Sequence, residues 1–327
     1  MILVTGGTGF IGSNLVGALA ERGESVSICD TLGTGDKWRN IARHEIDEIV
    51  DPSALEEFLT RRRADIDFIY HMGAISATTE TDVDLIADSN LRLSQTLWRW
   101  CSERRVPLIY ASSAATYGDG AHGFADEDSV EALASLRPLN AYGWSKHAFD
   151  RWVARQIAEG KGVPPHWAGL KFFNVYGPNE HHKGDMMSVV TKSYPGAVAG
   201  DSVTLFRSHH PDYDDGGQMR DFVYVRDCVD LMLWMRDSPP ATGLYNVGSG
   251  RAQTWLALMS ALYSAVDQPL EIEWVDTPIE IRDRYQYFTQ ADMLKLRDAG
   301  YDKAFMSVEE GVADYVERYL SAENSYA

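Results

Sequence analysis

The sequence predicts an α/β fold in which a doubly wound parallel sheet is joined by a second, smaller α+β lobe. In the first half of the chain, short apolar runs alternate with segments of helical periodicity, and turn residues separate them. Strands separated by helix-length segments require right-handed crossovers, which place helices on both faces of a parallel sheet. After about residue 178 the chain becomes rich in Gly, His, Asp and Pro, and we expect the second lobe to begin there.

The individual elements are predicted from apolar patterning and from the turn residues that bound each run. The predicted strands cover residues 2–5, 25–29, 66–72 and 107–112, and the predicted helices cover residues 11–22, 54–63, 85–104, 186–194, 254–266 and 307–320. We assign residues 1–178 to the first lobe, with residues 221–250 returning to it, and residues 179–220 and 251–327 to the second. In a parallel sheet of this kind, ligands bind beyond the carboxyl ends of the strands.

Composition excludes several classes of partner. The 327 residues include 48 acidic and 30 basic side chains, and this net charge of -18 argues against binding to nucleic acid. No run of 18 or more apolar residues occurs, which argues against a membrane-spanning helix. No basic segment precedes an apolar one at the start of the chain, and the three cysteines follow no disulfide or metal-ligand spacing. We therefore expect a cytoplasmic protein with neither nucleic acid nor membrane as a partner.

A glycine-rich turn follows the first strand. Gly6, Gly9 and Gly12 stand directly before the first helix, and Asp30 ends the second predicted strand 18 residues after Gly12. Glycines at this spacing permit a tight turn, the approach of a pyrophosphate to the backbone, and close packing of helix on strand. The helix N-terminus then binds the phosphates, and the acid binds a ribose. The pattern predicts a Rossmann-type dinucleotide site.

Charge alone leaves the identity of the dinucleotide open. Asp30 by itself favours NAD, because a carboxylate repels the 2′-phosphate of NADP. Lys37 and Arg39 follow in the next loop, however, and either side chain could neutralise an additional phosphate.

Tyr142 and Lys146 form a second motif. They are four residues apart and share one face of a predicted helix. An ammonium beside a phenol favours the phenolate, so we expect the pKa of Tyr142 to be lowered and the tyrosine to act as a base. The hydroxyl-rich segment 111–118 lies upstream at the end of a strand, where a hydroxyl can bind a reacting oxygen.

With these motifs in this order, the chain resembles the extended short-chain dehydrogenase/reductases that act on nucleotide sugars. Segments 73–80, 172–188, 218–225 and 284–292 are more specific, and are similar to those of the ADP-glycero-manno-heptose 6-epimerases of lipopolysaccharide core biosynthesis. The resemblance implies an ADP-heptose substrate and inversion at C6″ through a transient ketone, with NADP as cofactor. It also implies a substrate-binding role for the second lobe and a homo-oligomer, commonly a pentamer.

The resemblance further implies roles for individual residues. Tyr142 and Lys183 handle protons on opposite sides of the reacting carbon, Ser113 holds the substrate oxygen, and Lys146 binds the nicotinamide ribose. The implied cofactor-binding residues are Gly6, Gly9, Phe10, Ile11, Gly12, Asp30, Thr31, Lys37, Asp51, Met72, Gly73, Ala74, Ser76, Asn90, Lys146, Val175 and Lys183. The implied substrate-binding residues are Ser113, Asn174, Asp185, Lys192, Phe206, Arg220 and Tyr285.

Three alternative interpretations remain open. A nucleotide-sugar 4-epimerase or a related oxidoreductase shares the scaffold and needs no base at Lys183. A 4,6-dehydratase would carry an Asp-Glu pair where Ala114 and Ala115 stand, which argues against it. A non-catalytic dinucleotide-binding protein would be expected to lack Tyr142 or Lys146.

Histidines and aspartates cluster in two places. They occur at 181–182 and within 208–217, without the regular spacing of metal ligands. We therefore expect solvated loops and no metal.

Overall fold

The computed structural model describes residues 1–282 and 285–327. Its strands are β1 (Ile2–Thr5), β2 (Val26–Cys29), β3 (Glu48–Val50), β4 (Phe68–His71), β5 (Leu108–Ser113), β6 (Trp167–Phe172), β7 (Asn174–Tyr176), β8 (Val203–Arg207), β9 (Met219–Tyr224), β10 (Gly243–Val247), β11 (Ala252–Thr254) and β12 (Ile272–Asp276). Its helices are α1 (Phe10–Glu21), α2 (Leu55–Arg61), α3 (Val83–Ile86), α4 (Leu93–Arg104), α5 (Val130–Ser135), α6 (Ala141–Ala158), α7 (Val189–Ala199), α8 (Val225–Asp237), α9 (Trp255–Ala265), α10 (Ile279–Arg282), α11 (Leu294–Asp298) and α12 (Val308–Tyr315).

The central sheet has seven strands in the order β10-β6-β5-β4-β1-β2-β3, and every neighbouring pair is parallel. The predicted doubly wound parallel sheet is therefore confirmed. Strands β2 and β3 lie on one side of β1, and the later strands lie on the other. The crevice beyond β1 and β4 is thus the topological switch point, where open α/β sheets bind their ligands.

Helices cover both faces of this sheet. On one face, α1 and α8 pack against β1 through side chains such as Leu15, Leu19 and Met232. On the other face, Trp98 from α4 and Phe149 from α6 enclose a second core. Because β1, β2 and β4 are buried on both sides, they read as short, largely apolar runs rather than alternating ones, whereas β3 is partly exposed.

The remaining strands form two small sheets in the second half of the chain. Strands β11, β9 and β7 make one, and β12 pairs with β8 in the other. A third core lies among these strands and α7, α9 and α12. Of the segments expected to return to the first lobe, β10 joins the central sheet and α8 packs against α1, whereas β9 belongs to the smaller sheet. The division into lobes stays a prediction.

Several predicted boundaries are wrong. The helix predicted over 186–194 is α7, which begins at Val189 because the Ser188 hydroxyl accepts the Thr191 N–H as its cap, while residues 181–186 form a separate 3-10 turn. The helix predicted over 85–104 begins at Val83 and contains a π-helical stretch, Ala87–Arg92. The short strand β3 and the half-buried strands β8 and β12 carry weak apolar signals, and they were not predicted.

Candidate active site

The glycine turn sits at the carboxyl end of β1. Gly6 has a φ of +66°, and a Cβ there would lie 2.5 Å from the backbone of Gly73 after β4. A Cβ on Gly12 would lie 2.1 Å from the Gly6 carbonyl oxygen, so α1 packs directly on the turn. The N-cap residue of α1 is Gly9, which has no side chain to cap the helix, and no acid lies in the first turn of α1. This unshielded N-terminus, which begins at Phe10 and Ile11, fits the pyrophosphate of a dinucleotide.

Asp30 lies at the end of β2, beside this turn. Its Oδ2 accepts the Thr8 N–H at 2.9 Å, and its Oδ1 accepts the Thr31 N–H at 2.8 Å and the Lys37 ammonium at 2.7 Å. The carboxylate is thus neutralised by Lys37 while remaining next to the expected ribose position. Asp51, at the end of β3, is exposed and accepts hydrogen bonds from Ser53.

The segment after β4 forms the neighbouring wall. Asn90 holds it in place, since its Oδ1 accepts the Ile75 N–H at 2.8 Å and its Nδ2 donates to the Ile75 carbonyl at 2.9 Å. The same Nδ2 donates to the Ser145 hydroxyl on α6. The amide of Asn90 therefore links this wall to the Tyr–Lys helix. The predicted cofactor-binding residues of the wall are Met72, Gly73 and Ala74, which are half-buried, and Ser76, which is exposed.

Tyr142 lies in the first turn of α6, close to Ser113 at the end of β5. The Asn140 side chain caps the helix, and a Cβ on Gly143 would lie 2.7 Å from the Ala115 carbonyl oxygen, so glycine permits this close approach. Burial raises the pKa of the Tyr142 phenol, and a hydrogen bond with the Ser113 hydroxyl opposes that shift. The predicted lowering of the Tyr142 pKa is therefore wrong for the free protein.

The position of Lys146 explains why the pKa of Tyr142 is not lowered as predicted. The Lys146 ammonium donates to the Ala111 carbonyl at 2.8 Å, and burial lowers its pKa to about 8, against the favourable charge of Asp150. His71 lies beneath the same wall and is hydrogen-bonded to Thr5 and Ser94. Burial and the charge of Lys146 lower the pKa of His71 to about 3, so this histidine is neutral at physiological pH.

Lys183 is half-buried in the 181–186 turn, and its ammonium lies 5.0 Å from the ring centre of Phe10 at the start of α1. The Lys183 side chain therefore lies against the start of α1, although Gly184 and Asp185 of the same turn are exposed. Burial lowers the pKa of Lys183, the carboxylate of Glu180 opposes the shift, and Lys192 reinforces it. An amine in this state can exchange a proton near neutral pH more readily than an exposed lysine.

Glu180 supports this turn from a fully buried position. Its carboxylate accepts the Ser188 N–H and hydroxyl, each at 2.6 Å, and the Thr191 hydroxyl at 2.5 Å. On the other side of the turn, Asn40 donates to the Asn179 carbonyl at 3.2 Å.

The expected substrate-binding residues fall into two groups. Arg220 on β9 lies with its guanidinium 5.6 Å from the ring centre of Tyr285, and Phe206 on β8 packs edge-on against the same ring at 6.3 Å. Near Lys183, the Lys192 ammonium donates to the Asp185 carbonyl. Asn174 at the start of β7 is exposed, and Val175 beside it is half-buried. Arg284, which opens the predicted 284–292 segment, lies outside the described residues.

The histidine cluster at 181–182 differs from the solvated loop that we expected, whereas most of segment 208–217 is exposed as expected. His182 is half-buried against the Asn40 amide, at 3.2 Å. His209 is exposed but packs edge-on against Tyr285 and Tyr287, with the Tyr287 hydroxyl 2.8 Å from its Nδ1. Within residues 1–282 and 285–327, no group of three or more His, Cys, Asp or Glu side chains is placed to hold a metal ion. No helix in that part of the chain is long and apolar enough to cross a membrane.

Sequence reasoning missed several supporting side chains. Glu180 lies inside segment 172–188, and Asp150 follows Lys146 by one helical turn, so the positions of both residues in the sequence could have indicated a supporting role. Lys171 and Asn40 carried no signal, because their partners are distant in sequence.

Comparison with known proteins agrees with this geometry. The chain is 48% identical over 327 residues to the ADP-L-glycero-D-manno-heptose-6-epimerase of Nitratidesulfovibrio vulgaris, with 98% of each chain covered. The crystal structure of the Helicobacter pylori ADP-L-glycero-D-manno-heptose-6-epimerase matches the fold with a TM-score of 0.78 at 26% identity, over 97% of this chain and 95% of that one. The Thermus thermophilus UDP-glucose 4-epimerase in complex with NAD matches with a TM-score of 0.74 at 26% identity, over 97% of both chains.

The family itself is also established. Residues 2–248 match the NAD-dependent epimerase/dehydratase family along most of the chain. The resemblance inferred from the glycine turn and the Tyr–Lys pair is confirmed, and the chain belongs to this family of NAD-dependent epimerases and dehydratases.

Proposed function

We propose that the protein is an isomerase that converts ADP-D-glycero-β-D-manno-heptose into ADP-L-glycero-β-D-manno-heptose, a lipopolysaccharide core precursor. The similarity of the whole chain to enzymes of that name supports the substrate. The observation that supports the chemistry is the placement of two separate titratable side chains that could handle protons. One is Tyr142 on α6, which is hydrogen-bonded to Ser113 at the end of β5. The other is Lys183, whose ammonium lies over the ring of Phe10.

The cofactor site follows from the same geometry. The turn from Gly6 to Gly12 would hold the pyrophosphate, Asp30 the adenosine ribose, and Lys146 the nicotinamide ribose. A bound nicotinamide dinucleotide supplies a reversible hydride acceptor for the hydrogen at C6″. The further cofactor contacts that we propose are Phe10, Ile11, Thr31, Lys37, Asp51, Met72, Gly73, Ala74, Ser76, Asn90, Val175 and Lys183.

The side chains of the protein manage the proton and the oxygen. One of the pair Tyr142 and Lys183 takes the proton of the C6″ hydroxyl as the ketone forms. The other returns a proton to the oxygen once the opposite face of the carbon is presented. Ser113 holds the oxygen in both steps. Two groups are needed because one base cannot serve both orientations of the alcohol equally well.

The substrate nucleotide would lie against the second lobe. Arg220 is suited to the diphosphate, because a guanidinium matches phosphate oxygens bidentately. Its guanidinium lies near the ring of Tyr285, which would close over the substrate together with Phe206. Asn174, Asp185 and Lys192 complete the proposed contacts.

Within the NAD-dependent family, we propose NADP as the cofactor. The salt bridge between Lys37 and Asp30 supports this choice, since it removes the repulsion that a free carboxylate would exert on a 2′-phosphate. NAD is the alternative.

Incubation with ADP-heptose of either C6″ configuration tests the activity. Both epimers should converge on one mixture, and in heavy water the C6″ hydrogen should not exchange with solvent. Replacing Tyr142 with Phe or Lys183 with Ala should slow epimerisation by about 100-fold or more, because each variant lacks one proton-handling group. Trp144→Phe, an exposed position on the same helix as Tyr142, is the matched control.

The outcomes separate the alternatives. Full activity of Lys183→Ala would contradict the two-base mechanism and favour a 4-epimerase. Bound dinucleotide without any epimerisation of nucleotide sugars would favour a non-catalytic protein. We also propose a cytoplasmic homo-oligomer, with a pentamer as the expected state, and sedimentation analysis of the purified protein measures its size.

A further inference from the structure

A fully buried ion pair lies beneath the Tyr–Lys helix. The Lys171 ammonium on β6 is 3.0 Å from Asp150 Oδ2 on α6, and neither side chain has any exposed surface. Asp150 also accepts the Ser112 hydroxyl at 2.7 Å and the Tyr110 hydroxyl at 3.1 Å. A buried ion pair gives little net stability, since the desolvation of two charges offsets their attraction. Its presence here calls for a role other than stability.

The hydrogen bonds of this pair lead to both reactive segments. Lys171 donates to the Thr116 hydroxyl at 2.7 Å, and Thr116 donates to the Ser113 carbonyl at 2.8 Å. On the other side, Asp150 follows Lys146 by four residues on the same helix face. Lys146 donates to the Ala111 carbonyl, one residue from Ser112. The pair therefore joins the end of β5 to the start of α6.

We propose that Asp150, held by Lys171, is a positioning residue that fixes Lys146 and Ser113 relative to each other. The catalytic role of Asp150 rests on the function proposed above, but the effect of Asp150 on the pKa of Lys146 can be measured without substrate.

The electrostatics of Lys146 agree with this role. Burial lowers the pKa of Lys146 to about 8, and Asp150 is the neighbouring charge that opposes the shift. His71 faces Lys146 from β4 and is neutral, since its pKa is lowered to about 3. The titratable groups around Lys146 and Asp150 are His71, Tyr110, Tyr117, Tyr142, His147 and Lys171. Of these, Lys171 is the one that forms a salt bridge with Asp150.

The test is a titration of Lys146 in protein labelled with ¹³C at the lysine Cε, with the Lys146 signal assigned from a Lys146→Arg variant. Asp150→Asn removes the carboxylate but leaves Lys171 buried without its acidic partner, which threatens folding. The double variant Asp150→Asn/Lys171→Met removes both charges and avoids that penalty. We expect the titration midpoint of Lys146 to fall by about one pH unit or more in every folded variant that lacks the carboxylate. Asp237→Asn, which removes the same charge from a surface pair with Arg22, should leave the midpoint unchanged.

Turnover provides the second readout. The alkaline limb of the kcat profile should move to lower pH by the same amount as the midpoint, while KM for the ADP-heptose stays constant. An unchanged midpoint in the folded double variant, or recovery of the wild-type pH profile by it, would overturn the proposal and leave a purely structural ion pair. If the wild-type protein does not epimerise ADP-heptose, the proposed function fails, but the NMR midpoint still decides the role of Asp150.

Discussion

Lys146 and Lys183 face the same physical conflict. Each amine is removed from water, which lowers its pKa, and each has a buried acid nearby that favours the charged form. For Lys146 this acid is Asp150, and for Lys183 it is Glu180. The net result is that the pKa of each amine is lowered, which makes release of a proton easier than from an exposed lysine and favours general acid–base catalysis. Two lysines on unrelated elements thus reach similar states by similar means.

The salt bridge between Lys37 and Asp30 gives a prediction about cofactor choice. Lys37→Ala would leave the Asp30 carboxylate without its cation, so we expect affinity for NADP to fall by about tenfold or more while affinity for NAD changes little. Titration of cofactor-free protein with each dinucleotide measures both constants. Arg39→Ala provides the comparison, since Arg39 is the other basic side chain of this loop and pairs with Asp36. Equal losses of NADP and NAD affinity would contradict the assignment of Lys37 to the 2′-phosphate.

At the scale of elements, the segment 177–191 shows how one buried side chain organises a loop. Glu180 makes no ion pair within the described chain. Its negative charge is instead balanced by hydrogen bonds from Ser188 and Thr191, which also form the cap of α7. The Glu180 carbonyl accepts the Lys183 N–H at 3.0 Å. The position of Lys183 therefore depends on the same residue that fixes the start of α7.

Replacing Glu180 with Gln tests this dependence. The amide has one accepting oxygen and cannot satisfy the donors that the carboxylate serves, so we expect a loss of about 2–3 kcal/mol in the free energy of unfolding. Turnover should fall as Lys183 loses its position, whereas dinucleotide affinity should change less because the glycine turn is untouched. Denaturant unfolding and kinetics measure these effects. Glu159→Gln, an exposed acid paired with Lys161, is the control. Unchanged turnover in the folded Glu180 variant would show that Lys183 is positioned by other contacts.

At the scale of the whole molecule, the features that can be predicted from the sequence are those that neighbouring residues determine. The glycine turn and the strands β1, β2, β4 and β5 could be predicted because these strands are short, largely apolar runs bounded by turn residues, whereas the partly exposed strand β3 could not. The Asp150–Lys171 pair could not, because it joins α6 to β6 and forms only once both are packed. The prediction that the pKa of Tyr142 is lowered is wrong for a related reason. Spacing places Lys146 on the same helix face, but only the packed structure shows the ammonium bound to the Ala111 carbonyl.

Asp227 connects α8 to the segment before α12, and it predicts how stability depends on pH. Its carboxylate accepts the Met306 N–H at 2.8 Å, and burial raises its pKa from 3.8 to about 6. Between pH 3.8 and about 6, the folded protein therefore keeps a proton on Asp227 that the unfolded chain has released. The contribution of Asp227 to the free energy of unfolding falls as pH rises through this range, and the fall ends above about pH 6. Asp227→Asn keeps an accepting oxygen but does not titrate. Its free energy of unfolding relative to that of the wild type should therefore rise by about 1–2 kcal/mol between pH 4 and 6.5, and this difference should stay constant at higher pH. Denaturant unfolding across this pH range measures the difference, with Asp237→Asn, a surface partner of Arg22, as the control. A stability difference that does not vary with pH would mean that Asp227 stays ionised in the folded protein and that the Met306 contact outweighs burial.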